Sequence, residues 1–422
     1  MNTKYLNPNF YVVSERLSFT IRGEVDLREP VDGDILQKAV NTAMKRFPYF
    51  SVRVVRKGGE LLVEPNPLPH LVFHTAGAIT LGSADVNYHL VVICYDQEKI
   101  FFHVSHCITD GAGRSPLTKA VLYYYLREKY PEDDIESEGI YLADSALYPV
   151  EEGLSVSLDE IMKAQPTYYR KPGPAFKLSE GHYITDNKQT EYRFRVDEKK
   201  FMAVNKMKDA SPSVLVSALL TRVAWKLHPD TRKNIVTNLC MNMRPGLDNQ
   251  HNYHPLFTCI PLICPEQMRT FDLEELCTSL RGMVILQSQE ENVRYILKTM
   301  TEVFTFIQNT PGLEEKKRIF SKALFEENGT LSTTFVASYV GKNQMGCLSP
   351  YITEMFTTVD AIPEGGIIVE ITSADGYFYF TFMQDFSTDV YYQEFTDQLE
   401  ELGITVDHLG CGPILAAKMQ LP

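Results

Sequence analysis

The chain has 422 residues, a length that exceeds one ordinary domain core and divides naturally between two. A hydrophobic fraction of 44% and a charged fraction of 23% mark a globular protein. The net charge of -13 argues against nucleic acid and anionic membrane surfaces as partners, although a local basic patch can still hold a polyanion on an acidic protein. The opening Met1-Asn2-Thr3-Lys4-Tyr5 lacks the apolar core of a signal peptide, and no stretch reaches transmembrane length. Eight scattered cysteines with no Cys-x-x-Cys pair indicate neither a disulfide framework nor a zinc ribbon, so a reduced, cytoplasmic protein is expected.

In chain order, Leu17 to Glu24 alternates like a strand. Gly33 to Phe47 predicts an amphipathic helix with Ile35, Ala39, Val40, Ala43 and Met44 on one face, stopped by Pro48. Phe50 to Val55 reads as a strand turning at Gly58-Gly59. Asn87 to Tyr95 and Ile100 to His106 form the next strand pair, joined by Asp96-Gln97-Glu98-Lys99. Alternation puts Phe102, Val104 and His106 on one face of the last strand and His103 on the other. Beyond it lies His106-x-x-x-Asp110-Gly111, with Gly113 close behind; the glycines allow a sharp backbone turn. Ser115 and Pro116 then predict the N-cap and first residue of a helix reaching about Tyr130.

Residues 132 to 188 carry Pro149, Pro166, Pro172, Pro174 and acidic runs, and read as a connection with a short helix near Leu158 to Ala164. The division expected is 1–150, a linker 151–188, and 189–422. The second part opens with a strand at Thr190 to Val196 and a helix at Glu198 to Lys208. Ser211-Pro212 caps an apolar helix through Leu227. Asn234 to Arg244 is a strand with two unlike faces: Ile235, Thr237, Leu239, Met241 and Met243 on one, Asn238, Cys240, Asn242 and Arg244 on the other. Such a polar row is costly to bury unless it pairs or lines a cavity. A helical region from Asp272 to about Asn309, a strand at Thr333 to Val340, a hairpin about Ala374-Asp375-Gly376 and a helix from Asp389 to Leu402 complete the pattern. His251-x-x-His254 lies in a Pro- and Asn-rich loop with no third ligand, and reads as a polar loop rather than a metal site.

The motif His106-x-x-x-Asp110-Gly111 resembles that of the acyl-CoA-dependent acyltransferases related to chloramphenicol acetyltransferase and of peptide-synthetase condensation domains. The resemblance extends through Arg46-Phe47-Pro48, the helix Ser211 to Leu219, the strand Val236 to Arg244 and Ala337-Ser338-Tyr339-Val340-Gly341-Lys342, and so over nearly the whole chain. It departs at Ser105, where condensation domains usually carry a second histidine, which tilts the reading toward ester formation.

The fold implied is α/β (α+β): two chloramphenicol-acetyltransferase-like subdomains, each a mixed sheet flanked by helices, with an active-site channel between them. The activity implied is transfer of an acetyl or short acyl group from acyl-CoA, a co-substrate rather than a bound cofactor, to a small alcohol, without a covalent acyl-enzyme. By resemblance His106 is the general base, Asp110 forms a structural salt bridge to Arg244, and Gly111 leaves room for substrate. Asn238, Asn242, Ser338, Tyr339, Gly341 and Lys342 would border the channel, with Ser338 or Tyr339 helping to hold the oxyanion. The competing readings are a carrier-protein-dependent condensation enzyme forming an ester or amide, and a non-catalytic member that binds ligands. A monomer with no metal is expected.

Overall fold

The computed structural model describes residues 8–58, 60–144, 156–168, 173–325, 333–339, 345–361 and 366–422. The first part of the chain contributes β1 (Thr20–Leu27), α1 (Gly33–Ala43), β2 (Val52–Lys57), β3 (Glu60–Pro65), β4 (Val72–His74), β5 (Thr80–Leu81), β6 (Val91–Asp96), β7 (Lys99–Ser105) and α2 (Gly111–Lys129). A short α3 (Leu158–Lys163), closed by a Ser157–Glu160 capping box, lies in the expected connection. There follow β8 (Thr190–Asp197), α4 (Glu198–Met207), α5 (Pro212–Leu227), β9 (Ile235–Asn242), α6 (Arg244–Leu247), β10 (Phe257–Cys264), α7 (Leu273–Gln287), α8 (Glu290–Asn309) and α9 (Leu313–Phe325). The chain ends with β11 (Phe335–Tyr339), β12 (Ile352–Val359), β13 (Ile367–Ala374), β14 (Tyr377–Gln384), α10 (Val390–Glu401), β15 (Asp407–Gly412) and β16 (Lys418–Met419).

Two mixed sheets organise these elements. One has the order β12-β1-β7-β6-β4, the other β10-β9-β11-β13-β14-β8-β15. The mixed two-sheet α/β architecture expected from the sequence is therefore present. The sheets do not follow the chain-order division, however. β12, from the last third of the chain, pairs antiparallel with β1, Gly23 opposite Thr357. The first core likewise combines Leu36, Phe102, Leu117 and Val121 with Phe320, Leu348 and Met355 from far downstream. The two parts are thus interlocked as well as linked.

Three helix expectations change. α2 starts at Gly111, capped by Asp110, and Pro116 lies inside it; the Asp110 side chain accepts from Gly113 N and supplies the cap that Ser115 was expected to give. The predicted helical region 272–309 is two helices, broken at Ser288 and Gln289, and α9 follows where no helix was expected. By contrast Ser211 and Pro212 open α5 as predicted. Nearly all of α5 is buried in the second core, each large apolar side chain contributing roughly 1.5–3 kcal/mol.

The second sheet explains the two-faced strand. Across its ladder Ile260, Leu239, Ala337, Val369 and Phe382 form one row, all buried against the helices. One residue along, Cys259, Cys240, Ser338, Glu370, Thr381 and Arg193 point the other way, toward the first sheet. Arg193 there donates to Glu24 of β1 (2.9 Å), and Tyr379 meets Phe356 edge-on. The polar row is the face that the second sheet turns toward the first. Among the described residues no helix is long and apolar enough to cross a membrane.

Candidate active site

His106 follows the last residue of β7, and its backbone N–H donates to Phe19 O (2.8 Å). The ring Nδ1 lies 2.9 Å from Thr109 O. A carbonyl can only accept, so Nδ1 carries the hydrogen and Nε2 keeps its lone pair. The ring is stacked between Phe19 (centroids 5.0 Å apart) and Phe257 (4.6 Å) and remains partly exposed. Burial between these rings lowers its pKa, against an opposing pull from the Asp110 charge. The imidazole is therefore held neutral in one tautomer, and among the described residues Nε2 has no hydrogen-bond partner.

Phe19 reaches this position at φ +53°, a left-handed conformation uncommon for a bulky residue. Beside it the Asp360 carboxylate accepts from Thr20 N (3.1 Å). Burial pushes that carboxyl up to about 6, opposed by backbone N–H groups of residues 18 to 20. His103 is wholly buried on the opposite face of β7, as alternation requires, and burial pushes it down to about 3. It is kept neutral, away from His106.

Asp110 is engaged away from the His106 ring by three hydrogen bonds. One oxygen accepts from Gly113 N (2.7 Å), the other from Arg244 Nη1 (2.9 Å) and Leu256 N (2.9 Å). Arg244, 2% exposed, also donates from Nε to Asn252 O (2.9 Å), from Nη1 to Asn242 Oδ1 (3.2 Å) and from Nη2 to His254 O (2.6 Å). The salt bridge expected between these residues is present and buried, and it ties the start of α2 to the end of β9. Tyr49 adds a further tie, donating to Ile108 O (2.5 Å) inside the motif.

Packing is close at Gly113, in the first turn of α2. A Cβ there would lie 2.5 Å from Tyr253 O and 2.5 Å from Thr109 Oγ1. Gly113→Ala is expected to destabilise the protein by ~1–3 kcal/mol, because the Tyr253 backbone and the buried Thr109 side chain must both move. Gly282→Ala, where a Cβ meets nothing within 4 Å in α7, is expected to stabilise by ~0.5–1 kcal/mol. Urea midpoints of the two variants check the contrast, and equal midpoints would remove the packing argument.

The other expected positions divide. Ser338 faces the first sheet, one row position from Glu370, whose carboxyl burial pushes up to about 7 while Ser338 and Arg114 pull it down. Asn238 is buried on the same face. Asn242 is exposed, and its carboxamide oxygen braces Arg244. Tyr339 is a correction: it points to the helical side, against Phe378, because alternation sends it opposite to Ser338. Gly341 and Lys342 lie outside the described residues. His251 meets the Tyr141 hydroxyl and His254 supplies its carbonyl to Arg244, so both serve the loop that encloses that guanidinium. Phe19, Phe257, Arg114 and Glu370 were not singled out by sequence. Arg114 lines the same cleft as Gly111, donates to Thr357 Oγ1 (3.2 Å) and has its pKa lowered to about 10 by burial.

No protein-family model matches the chain, and no curated protein matches it by sequence. Solved structures do. The chain is similar to TRI101 of F. sporotrichioides, crystallised with coenzyme A and T-2, with a TM-score of 0.60 at 12% identity over 96% of this chain and 99% of that one. It is similar to the TRI3 trichothecene 15-O-acetyltransferase of Fusarium sporotrichioides, with a TM-score of 0.61 at 12% identity over 94% and 93%. It is also similar to the first condensation domain of the CDA synthetase, with a TM-score of 0.55 at 10% identity over 91% and 89%.

Proposed function

On a chain whose fold is that of the chloramphenicol acetyltransferase-like and condensation-domain superfamily, we propose an acyl-CoA-dependent O-acyltransferase with His106 as its general base. The carrying observation is the His106 ring: neutral, its Nδ1 hydrogen committed to Thr109 O and its Nε2 without a hydrogen-bond partner among the described residues. Nε2 takes the hydroxyl proton of a small alcohol as the oxygen attacks the thioester carbonyl. The tetrahedral intermediate then collapses, the carbon–sulfur bond breaks, and the departing CoA thiolate recovers the proton from His106. No acyl-enzyme is required, since both substrates meet at one base.

In this reading Asp110 does not relay the proton. Both of its oxygens accept hydrogen bonds, from Gly113 and from Leu256 and Arg244, and it acts by holding the loop that carries His106. Ser338, a hydroxyl of the row turned toward the first sheet and hydrogen-bonded to Glu370, is assigned to the oxyanion. Acyl-CoA is a co-substrate here, and the protein works as a cytoplasmic monomer without a resident cofactor. The similarity to a condensation domain keeps one second reading in play, an acyl donor carried on a protein-bound thioester. Turnover with free acyl-CoA and none with an acyl-carrier protein supports the first reading; the reverse supports the second.

The pH profile is a direct consequence. Burial lowers the His106 pKa, so the base stays deprotonated to lower pH than an ordinary imidazole of pKa ~6.5. The acid limb of kcat/KM is expected below that value, with activity rising as pH increases through it. A limb midpoint above it would contradict a neutral, buried base.

A further inference from the structure

The cleft-facing row begins with two thiols that the mechanism does not use. Cys259 on β10 and Cys240 on β9 stand directly opposite in the antiparallel ladder, with their Sγ atoms 3.8 Å apart. Both are partly exposed, whereas Cys94, Cys107, Cys264 and Cys277 are buried. Directly opposed antiparallel residues have Cα atoms ~4.5–5.5 Å apart, which falls within the range a disulfide spans. We infer that Cys240 and Cys259 are a reversible oxidation site, forming an intrachain disulfide that disables the cleft.

The oxidant class is a low-molecular-weight disulfide. One cysteine thiolate attacks a sulfur of that disulfide, forming a mixed disulfide and expelling one small thiol. The other cysteine then attacks the protein sulfur and expels the second small thiol. The two protein thiols lose two electrons and two protons, and both appear on the two small thiols released. Exposed bridges are among the readily reduced, regulatory kind, and both cysteines are partly exposed.

The position gives the bridge its effect. The next cleft-facing pair along the ladder is Phe257 opposite Asn242. Phe257 stacks on His106, and Asn242 braces Arg244, the partner of Asp110. A bond of ~2.05 Å in place of the 3.8 Å contact cross-links β9 and β10 two residues from both side chains, and fixes the strand pair that has to admit substrate beside His106. The effect on turnover rests on the acyl-transfer reading; the bridge itself does not.

The test treats the full chain with oxidised glutathione, removes the reagent, and maps peptides without reduction. The expected result is loss of two of the eight thiols, a linked Cys240–Cys259 peptide, and a fall of ~10-fold or more in CoA release that dithiothreitol reverses. Cys259→Ser and Cys240→Ser should form no intrachain bridge and resist the oxidant relative to their own untreated rates. Glutathione confined to Cys347 or Cys411 with no linked peptide overturns the inference, as does a linked peptide with unchanged turnover. A reduced protein that releases no CoA contradicts the acyl-transfer reading, and the linked peptide alone then decides whether the oxidation site exists.

Discussion

His106→Ala is expected to lower acyl transfer by ~10²–10⁴-fold, the usual contribution of a positioned general base. The loss should fall on kcat, with KM for acyl-CoA nearly unchanged, because the imidazole acts on the alcohol proton in the transition state. Stability should change little. The ring makes one hydrogen bond, to Thr109 O, and two stacking contacts, and it is partly exposed. CoA release followed with a thiol reagent, beside a thermal melt of the same preparation, separates the two quantities. A folded variant with wild-type turnover would remove His106 from the chemistry.

Arg244→Ala should act in the opposite way, chiefly on the fold. Removing one partner of a buried ion pair leaves the other charge uncompensated and typically costs ~3–5 kcal/mol. Here the loss also removes the guanidinium donors of Asn252 O and His254 O and unties α2 from β9. Asp110→Asn keeps the shape but leaves Arg244 charged in the same 2%-exposed site, so it should destabilise as well. Urea unfolding checks both. If either variant unfolds like wild type while losing turnover, the pair acts in the chemistry and the structural role assigned to it is wrong.

Local features of this architecture are readable from sequence because they depend on near neighbours. The alternation of β7 separates His106 from His103, the Ser211-Pro212 cap opens α5, and the polar face of β9 points to a cleft. The features that escape sequence depend on distant partners. β12 finds β1 across some three hundred residues, and its sequence, half Thr and Glu, carries no sustained apolar alternation to announce it. Phe19 reaches His106 through a positive φ that no residue type there announces, and Phe257 does so from the strand that follows a Pro- and Asn-rich loop. The start of α2 lies upstream of the Ser115-Pro116 signal for a related reason. Asp110 has both a capping bond and a salt bridge to gain at that position, and together they outweigh the Ser-Pro signal downstream. Tyr339 was assigned to the channel by its neighbourhood, while the period-2 geometry of β11 sends it to the core.

The most direct test of the central claim is an acyl-CoA consumption screen of the full chain against pooled small alcohols and amines, read by product mass. Acyl transfer at His106 yields free CoA and an acyl ester in equal amounts, both dependent on that residue. Neither product with any acyl-CoA, or equal ester yield from His106→Ala, would contradict it.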